Sequence, residues 1–409
     1  MTAGADAAEG PAAAGTRRDW WPAATAAALF VVAAILARGG LATSHHAGDV
    51  GHYETFGVRV RDGLFPYAAG FYFEYPPFSL PAFVAPEFIS PAHYLQTFKV
   101  LMALCSVATI AATAATLSIL KVPERRKLLL LVPAALGPLL LGSTYLNRYD
   151  PWAALLTTLA LLALVTGRLR SGAALLALAF AAKTYPAAIV PVAALWVLRS
   201  GGVRRLLESS LVFVSTCLAI YLPFAVRAFG GLGNSYYTQA RRSLQIESTG
   251  ASVLLVADKL GVYSVHWFRG MSVDLAGRAA NTTAAATSLL EILSVFTVAW
   301  LYHQSGRRDP QAFLVAAAAA VFAFVAFNKV FSPQFAVWLI PLVALAPRRL
   351  AIRASLLLVA ILVATNVGVI WGDWGLRNGD WTVWVVALRN IGVLGLLTLF
   401  SRELWTRRI

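Results

Sequence analysis

The feature that most limits what this chain can fold into is a recurrence. Stretches of roughly twenty apolar residues, broken by short charged links, follow one another from end to end. About twelve such runs can be drawn, with approximate limits 20–38, 97–120, 128–144, 151–167, 171–184, 186–199, 206–226, 281–302, 311–327, 334–347, 352–371 and 381–400. A helix of about twenty residues at about 1.5 Å each matches the hydrocarbon thickness of a bilayer. The fifth and sixth runs are short and also allow a single re-entrant hairpin. Of the 409 residues 59% are hydrophobic and only 13% charged, and a water-soluble core of that size would leave too little polar surface to cover it. The expected fold class is an all-α polytopic membrane protein with about twelve transmembrane helices.

A formal net charge of +15 raises the question of a nucleic-acid partner. The placement of the cations excludes it, because they cluster in the links between apolar runs. "TRR" precedes the first run, and "KVPERRK" (121–127), "GRLR" (167–170), "RSGGVRR" (199–205), "SGRR" (305–308), "RRLAIR" (348–353) and "RELWTRR" (402–408) follow every second run thereafter. Cytoplasmic loops concentrate Lys and Arg, so the alternation puts both termini in the cytoplasm of a multi-pass plasma-membrane protein. Residues 1–19 are Ala/Gly-rich and polar and read as a disordered cytoplasmic tail. Residues 20–409 read as one transmembrane domain, the first run being an uncleaved span. Cys105 and Cys217 both sit inside apolar runs, where packing is the better explanation than a disulfide.

The other face carries the longer connections, about 39–96 and about 227–280, with "YLNRYD", "AAKTYP", "FNKVFSPQ" and "WGDWGLRNGDW". Polar chemistry gathered on one face of a membrane bundle points to an active site there. In the first long connection Val50, Tyr53, Phe56, Gly57 and Val60 share a helical face opposite His52, Thr55, Arg59 and Asp62. That is an amphipathic helix suited to the membrane interface. The aromatics Tyr67, Phe71, Tyr72, Phe73 and Tyr75 suit the headgroup layer, and Pro76 and Pro77 force an extended turn. The second long connection reads as a similar stretch of short amphipathic helices.

Several polar residues have two readings. Asp49 stands where a helix N-cap belongs, and it is also a carboxylate in the functional face. Glu74 and Tyr75, held by the double proline, either line a sugar pocket or are interfacial. Arg148 and Asp150 form a local pair, with Asp150 a helix cap, or belong to the site. Lys183 and Lys329 lie among apolar residues, where a phosphate or a carboxylate is needed as partner unless the side chain snorkels out. Arg241 and Arg242, with Gln245 and Glu247 nearby, clamp a phosphate or bind anionic headgroups. Glu291 has no evident role beyond a buried hydrogen bond. His45, His46, Asp49 and His52 have the spacing for a divalent metal, but the signal is weak. No Asp-x-Asp follows the first run, which argues against a metal-held nucleotide sugar, so no metal or other cofactor is expected.

The order of "DGLFPY", "EYPPFSLP", "AAKTYPAAIVPV" (181–192) and "NKVFSPQFAVWLIPL" (328–342) after a first span and an Asp resembles the GT-C superfamily of membrane glycosyltransferases. Within it the chain is similar to glycosyltransferase family 87, the polyprenol-phosphate-mannose-dependent mannosyltransferases, over residues 20–350. The resemblance implies inverting transfer of a sugar, mannose before arabinose, from a polyprenyl-phosphate donor to an envelope glycolipid or glycan. It makes Asp49 the general base. Substrate-binding residues are then expected among Tyr53, Glu74, Tyr75, Arg148, Asp150, Lys183, Tyr185, Arg241, Arg242, Gln245, Glu247, Lys329 and Gln334. The rival reading is a twelve-span secondary transporter of a small or lipid-linked substrate, which predicts two similar six-span halves and a long central link. The central link 199–205 is short and no repeat is visible. A scaffold or lipid-binding subunit would leave the clustered Asp49, Glu74, Lys183 and Lys329 unexplained.

Overall fold

A computed structural model describes residues 20–44, 48–270 and 272–405, apart from the side chains of 369–374. The proposed tail 1–19, and His45 and His46, lie outside the described residues. Helix α1 (Trp21–Leu36) is followed by α2 (Val50–Arg61), α3 (Leu80–Ile89) and the long α4 (Tyr94–Ile119). The third apolar run is broken into α5 (Glu124–Ala135), α6 (Gly137–Leu141) and α7 (Ser143–Leu146). Its second break is at Gly142, whose φ of 57° suits a residue without a Cβ. Then come α8 (Asp150–Val165), α9 (Leu169–Ala182) and α10 (Val190–Ala240), which turns at Gly202 (φ 72°, ψ −175°) in the basic link. The chain closes with α11 (Thr249–Lys259), α12 (Arg278–Gln304), α13 (Pro310–Phe327), α14 (Ala336–Ala344), α15 (Ala351–Asn378) and α16 (Thr382–Trp405). Each apolar run of the sequence falls on helix. Among the described residues 6 helices are long and apolar enough to cross a membrane, and other apolar helices are shorter. This is a helical multi-pass membrane protein.

Packing follows side-chain size. Helix α13 is buried without a break from Ala312 to Ala323, and its five consecutive alanines let α12 and α16 press against it. Small residues serve this purpose in lipid, where close van der Waals contact replaces the hydrophobic drive between helices. Gly172 does the same on α9, because a Cβ there would meet Leu164 at 2.6 Å. Cys105 and Cys217 are free and half-buried.

The basic links meet at one end. Arg199 donates to the Tyr302, His303 and Arg307 carbonyls, and Arg126 lies close enough to Arg348 to feel its charge. The other connections converge at the opposite end, where the cavity described below opens.

In the first long connection α2 buries Val50, Tyr53, Phe56 and Gly57 against α3, while His52 and Thr55 are exposed. The aromatics behave differently from their sequence reading. Tyr67, Phe71 and Phe73 are buried, and Phe56 packs edge-on to Phe73 at 5.0 Å, so they form a core beneath the loop; only Tyr72 is largely exposed. Two prolines and a Tyr67–Tyr75 hydrogen bond (2.5 Å) fold the segment back on itself. The second long connection also departs from the short-helix expectation. Besides the end of α10, which breaks at Ala228 (φ −149°, ψ 44°) and runs on to Ala240, and α11, it holds a small antiparallel sheet of β1 (Leu244–Gln245), β2 (His266–Arg269) and β3 (Val273–Ala276) in the order β1-β3-β2.

Candidate active site

Asp49 occupies the N-cap position of α2, yet its side chain makes no capping bond. Its backbone carbonyl starts the helix, accepting from the amides of His52 and Tyr53. The carboxylate is instead ion-paired with Arg148 through Oδ2 and Nη1. The local Arg148–Asp150 pair suggested by "NRYD" therefore does not form. Asp150 is not a cap either, because Tyr149 holds that position without a side-chain bond.

Asp150 is fully buried, and its Oδ1 accepts from Lys183 Nζ (2.7 Å) and Trp338 Nε1 (2.7 Å). Lys183 also lies 4.3 Å from the centre of the Tyr149 ring and 5.3 Å from that of Trp338, an aromatic surround that favours a cation. An unpaired lysine deep in a membrane costs about 3 kcal/mol. The partner demanded for Lys183 is thus a carboxylate of the chain, and no external anion is needed to hold it.

These residues face a cavity of about 720 Å³. Asp49, His52, Glu74, Tyr75, Arg148 and Lys183 form one side. Burial raises the Glu74 carboxyl above its ordinary range, partly opposed by a hydrogen bond from Tyr75 and by the charge of Arg242. On the facing side are Arg242, Gln245, Glu247, Arg269, Lys329 and Gln334. Arg242 donates to Ser272 Oγ (2.7 Å), which in turn donates to Asp274 Oδ1 (2.6 Å). Lys329 donates to the Ala240 carbonyl (2.6 Å). Among the described residues neither cation has a carboxylate within ion-pair distance. Burial, and then the charge of Arg242, hold the Lys329 amine below its ordinary value, with Glu291 opposing. Gln245 accepts nothing from Lys329 but is tied to it by a backbone bond, Gln245 N–H to Lys329 O (3.0 Å). Its side chain donates to Glu247 (2.8 Å).

Four of the expected site residues stand elsewhere. Tyr53 is buried in the aromatic stack, 4.3 Å from Phe83. Asp150 lies behind Lys183. Tyr185 fills the core, stacked on Trp338 at 4.1 Å with its hydroxyl on Thr157. Arg241 turns away to the Tyr237 hydroxyl (2.6 Å), so the two-arginine clamp reduces to Arg242. Sequence reasoning missed Arg269, which reaches the cavity from β2, because the amphipathic reading stops at "VHWF" just before it; that aromatic and β-branched content followed by Gly is a strand signal. It also left Glu291 without a place. Glu291 lines the cavity beside Asn328 and Lys329. Among the described residues no three His, Cys, Asp or Glu side chains gather as a metal site.

No family profile and no curated protein matches the chain. Among solved structures it is similar to ArnT from Cupriavidus metallidurans bound to undecaprenyl phosphate, with a TM-score of 0.52. The likeness covers 97% of this chain and 79% of that one at 16% sequence identity. The two chains share a mostly helical, multi-pass architecture. At that identity the likeness speaks for the architecture, and the chemistry must be argued from the cavity itself.

Proposed function

We propose that the protein is an inverting glycosyltransferase that moves a sugar from a polyprenyl-phosphate donor to an envelope glycolipid or glycan at the extracytoplasmic face. Mannose is the sugar favoured by the family-87 resemblance. The observation that carries the reading is one cavity with the Arg148-held carboxylate of Asp49 on one side and, on the other, cations that among the described residues have no carboxylate within ion-pair distance. In an inverting transfer the acceptor oxygen attacks the anomeric carbon while the bond from that carbon to the phosphate oxygen breaks. The leaving polyprenyl phosphate keeps the electron pair, and the acceptor proton passes to a base. Arg148 engages Asp49 through Oδ2, which leaves Oδ1 for that proton. Arg242, Lys329 and Arg269 suit the growing charge on the phosphate. With cations in that role, this reading assigns the reaction no metal and no other cofactor. ArnT, which has a similar fold, was crystallised with undecaprenyl phosphate, a ligand of the class proposed here.

The test is purified protein with radiolabelled polyprenyl-phosphate mannose or arabinose and a panel of glycolipid and glycan acceptors. Transfer from one of these donors is expected; neither transfer nor donor hydrolysis with any of them would remove the reading. For the face, cysteines placed at Ser44, Asn234 and Asn378 should react with an impermeant thiol reagent in intact cells. Those at Arg126, Arg204 and Arg349 should not, and labelling at Arg204 would overturn the orientation.

A further inference from the structure

We propose that Gly48 and Arg148 are positioning residues for Asp49. The bare backbone of Gly48 is the seat on which the Arg148 guanidinium rests, and that seat sets where the Asp49 carboxylate stands. The proposal rests on the transferase reading of the cavity.

The Asp49 side chain is free to be positioned because the start of α2 does not use it. The backbone carbonyl of Asp49 accepts from His52 N (2.9 Å) and Tyr53 N (3.1 Å) without help from the carboxylate. Arg148, which captures that carboxylate, comes from the short link between α7 and α8. The same link is tied to the base of the first loop, since Asn147 Nδ2 donates to the carbonyls of Gly39 (2.8 Å) and Ser143 (2.8 Å). Loop and arginine are therefore anchored together, and the last adjustable element is the contact of Arg148 with residue 48.

Gly48 has a φ of 65°, and a Cβ on it would stand 2.8 Å from both Cζ and Nη1 of Arg148 and 3.1 Å from Nη2. A methyl group cannot share that space. The three nearest atoms all belong to the tip of one flexible side chain, so the fold can absorb an alanine by moving the guanidinium. What it cannot keep is the guanidinium opposite Asp49. Collision cost and positioning cost fall on different things, and this makes the idea testable. The left-handed backbone of Gly48 has an internal control at the other end of α2. Gly63 has a φ of 83° and nothing within 4 Å of its would-be Cβ.

The experiment compares Gly48→Ala, Gly63→Ala, Arg148→Gln and the double variant Gly48→Ala/Arg148→Gln. It reads kcat and KM for transfer from the polyprenyl-phosphate sugar that the wild type uses, donor binding, and the thermal midpoint in detergent. Gly48→Ala should lower kcat about 10- to 100-fold, the scale expected for a misplacement of about 1 Å. Its donor binding and midpoint should match those of Gly63→Ala, which should keep wild-type turnover. The double variant should be no slower than Arg148→Gln alone, since the seat matters only when occupied. An active wild type with an unimpaired Gly48→Ala refutes the proposal alone. So do multiplicative losses in the double variant, or a midpoint for Gly48→Ala well below that of Gly63→Ala. A wild type inactive with every polyprenyl-phosphate sugar refutes the transferase reading, and the proposal with it.

Discussion

On the side of the cavity built from residues 48–75 and 147–183, charges come in pairs: Arg148 with Asp49, and Lys183 with the buried Asp150. On the side built from residues 242–270, Ser272 and residues 328–334, Arg242 and Lys329 are held by a serine hydroxyl and a backbone carbonyl, with no carboxylate in ion-pair reach among the described residues. The two arrangements solve different problems. A buried charge that must survive insertion and folding needs its partner within the chain, because leaving it alone is too costly. A charge meant for a visiting anion must be kept from the chain's own carboxylates, and neutral oxygens can orient it without cancelling it. On the proposed transferase reading, the paired side serves as preassembled machinery and the other side as the anion site.

The largest consequence lies on the paired side. Asp49→Asn keeps the shape of the residue but cannot take a proton, so turnover should fall about 10²- to 10⁴-fold with donor binding retained. Steady-state transfer and donor-binding measurements check this. Full turnover in the variant would move the base to Glu74, the other carboxylate of that side that lines the cavity. Next in size is the structural pair. Lys183→Met or Asp150→Asn alone should each destabilise the protein by about 3–5 kcal/mol, and the combination should recover part of the loss. Detergent unfolding curves decide; an additive double variant would mean that the two charges do not depend on each other.

The smallest effect concerns Glu74. Burial raises its carboxyl, so the folded protein holds that proton more tightly than the unfolded chain does. The stability this group contributes is complete below the unfolded value and is lost as pH rises through the raised folded value. Glu74→Gln should therefore melt about 1–2 °C above wild type at neutral pH and level with it in acid. A variant that melts lower at neutral pH would show that the carboxylate is held ionised by its neighbours.

Much of this was legible in the sequence because membrane chemistry leaves periodic marks. The apolar runs became helices, and the α2 face of Val50, Tyr53 and Phe56 is buried as its spacing required. Lys183 announced that it needed a partner. Which partner was not legible: Asp150 lies 33 residues away on another helix, and no local pattern encodes that pairing. Tyr185 sits beside Lys183 in sequence, yet it packs into the core against Trp338, because successive residues point in different directions. Arg241 and Arg242 part ways at the end of α10 for the same reason. Arg269 depended on a hairpin whose strands are only four residues long, too short for a clear alternation.

The most direct test of the contrast between the two sides is binding of undecaprenyl phosphate itself, without a sugar, to the purified protein. The account predicts saturable binding and thermal stabilisation of the wild type, lost in Arg242→Gln/Lys329→Gln, whose own midpoint without ligand stays at the wild-type value. Arg148→Gln should keep the binding. Undiminished binding by the Arg242/Lys329 variant, or loss of binding on removing Arg148 alone, would contradict it.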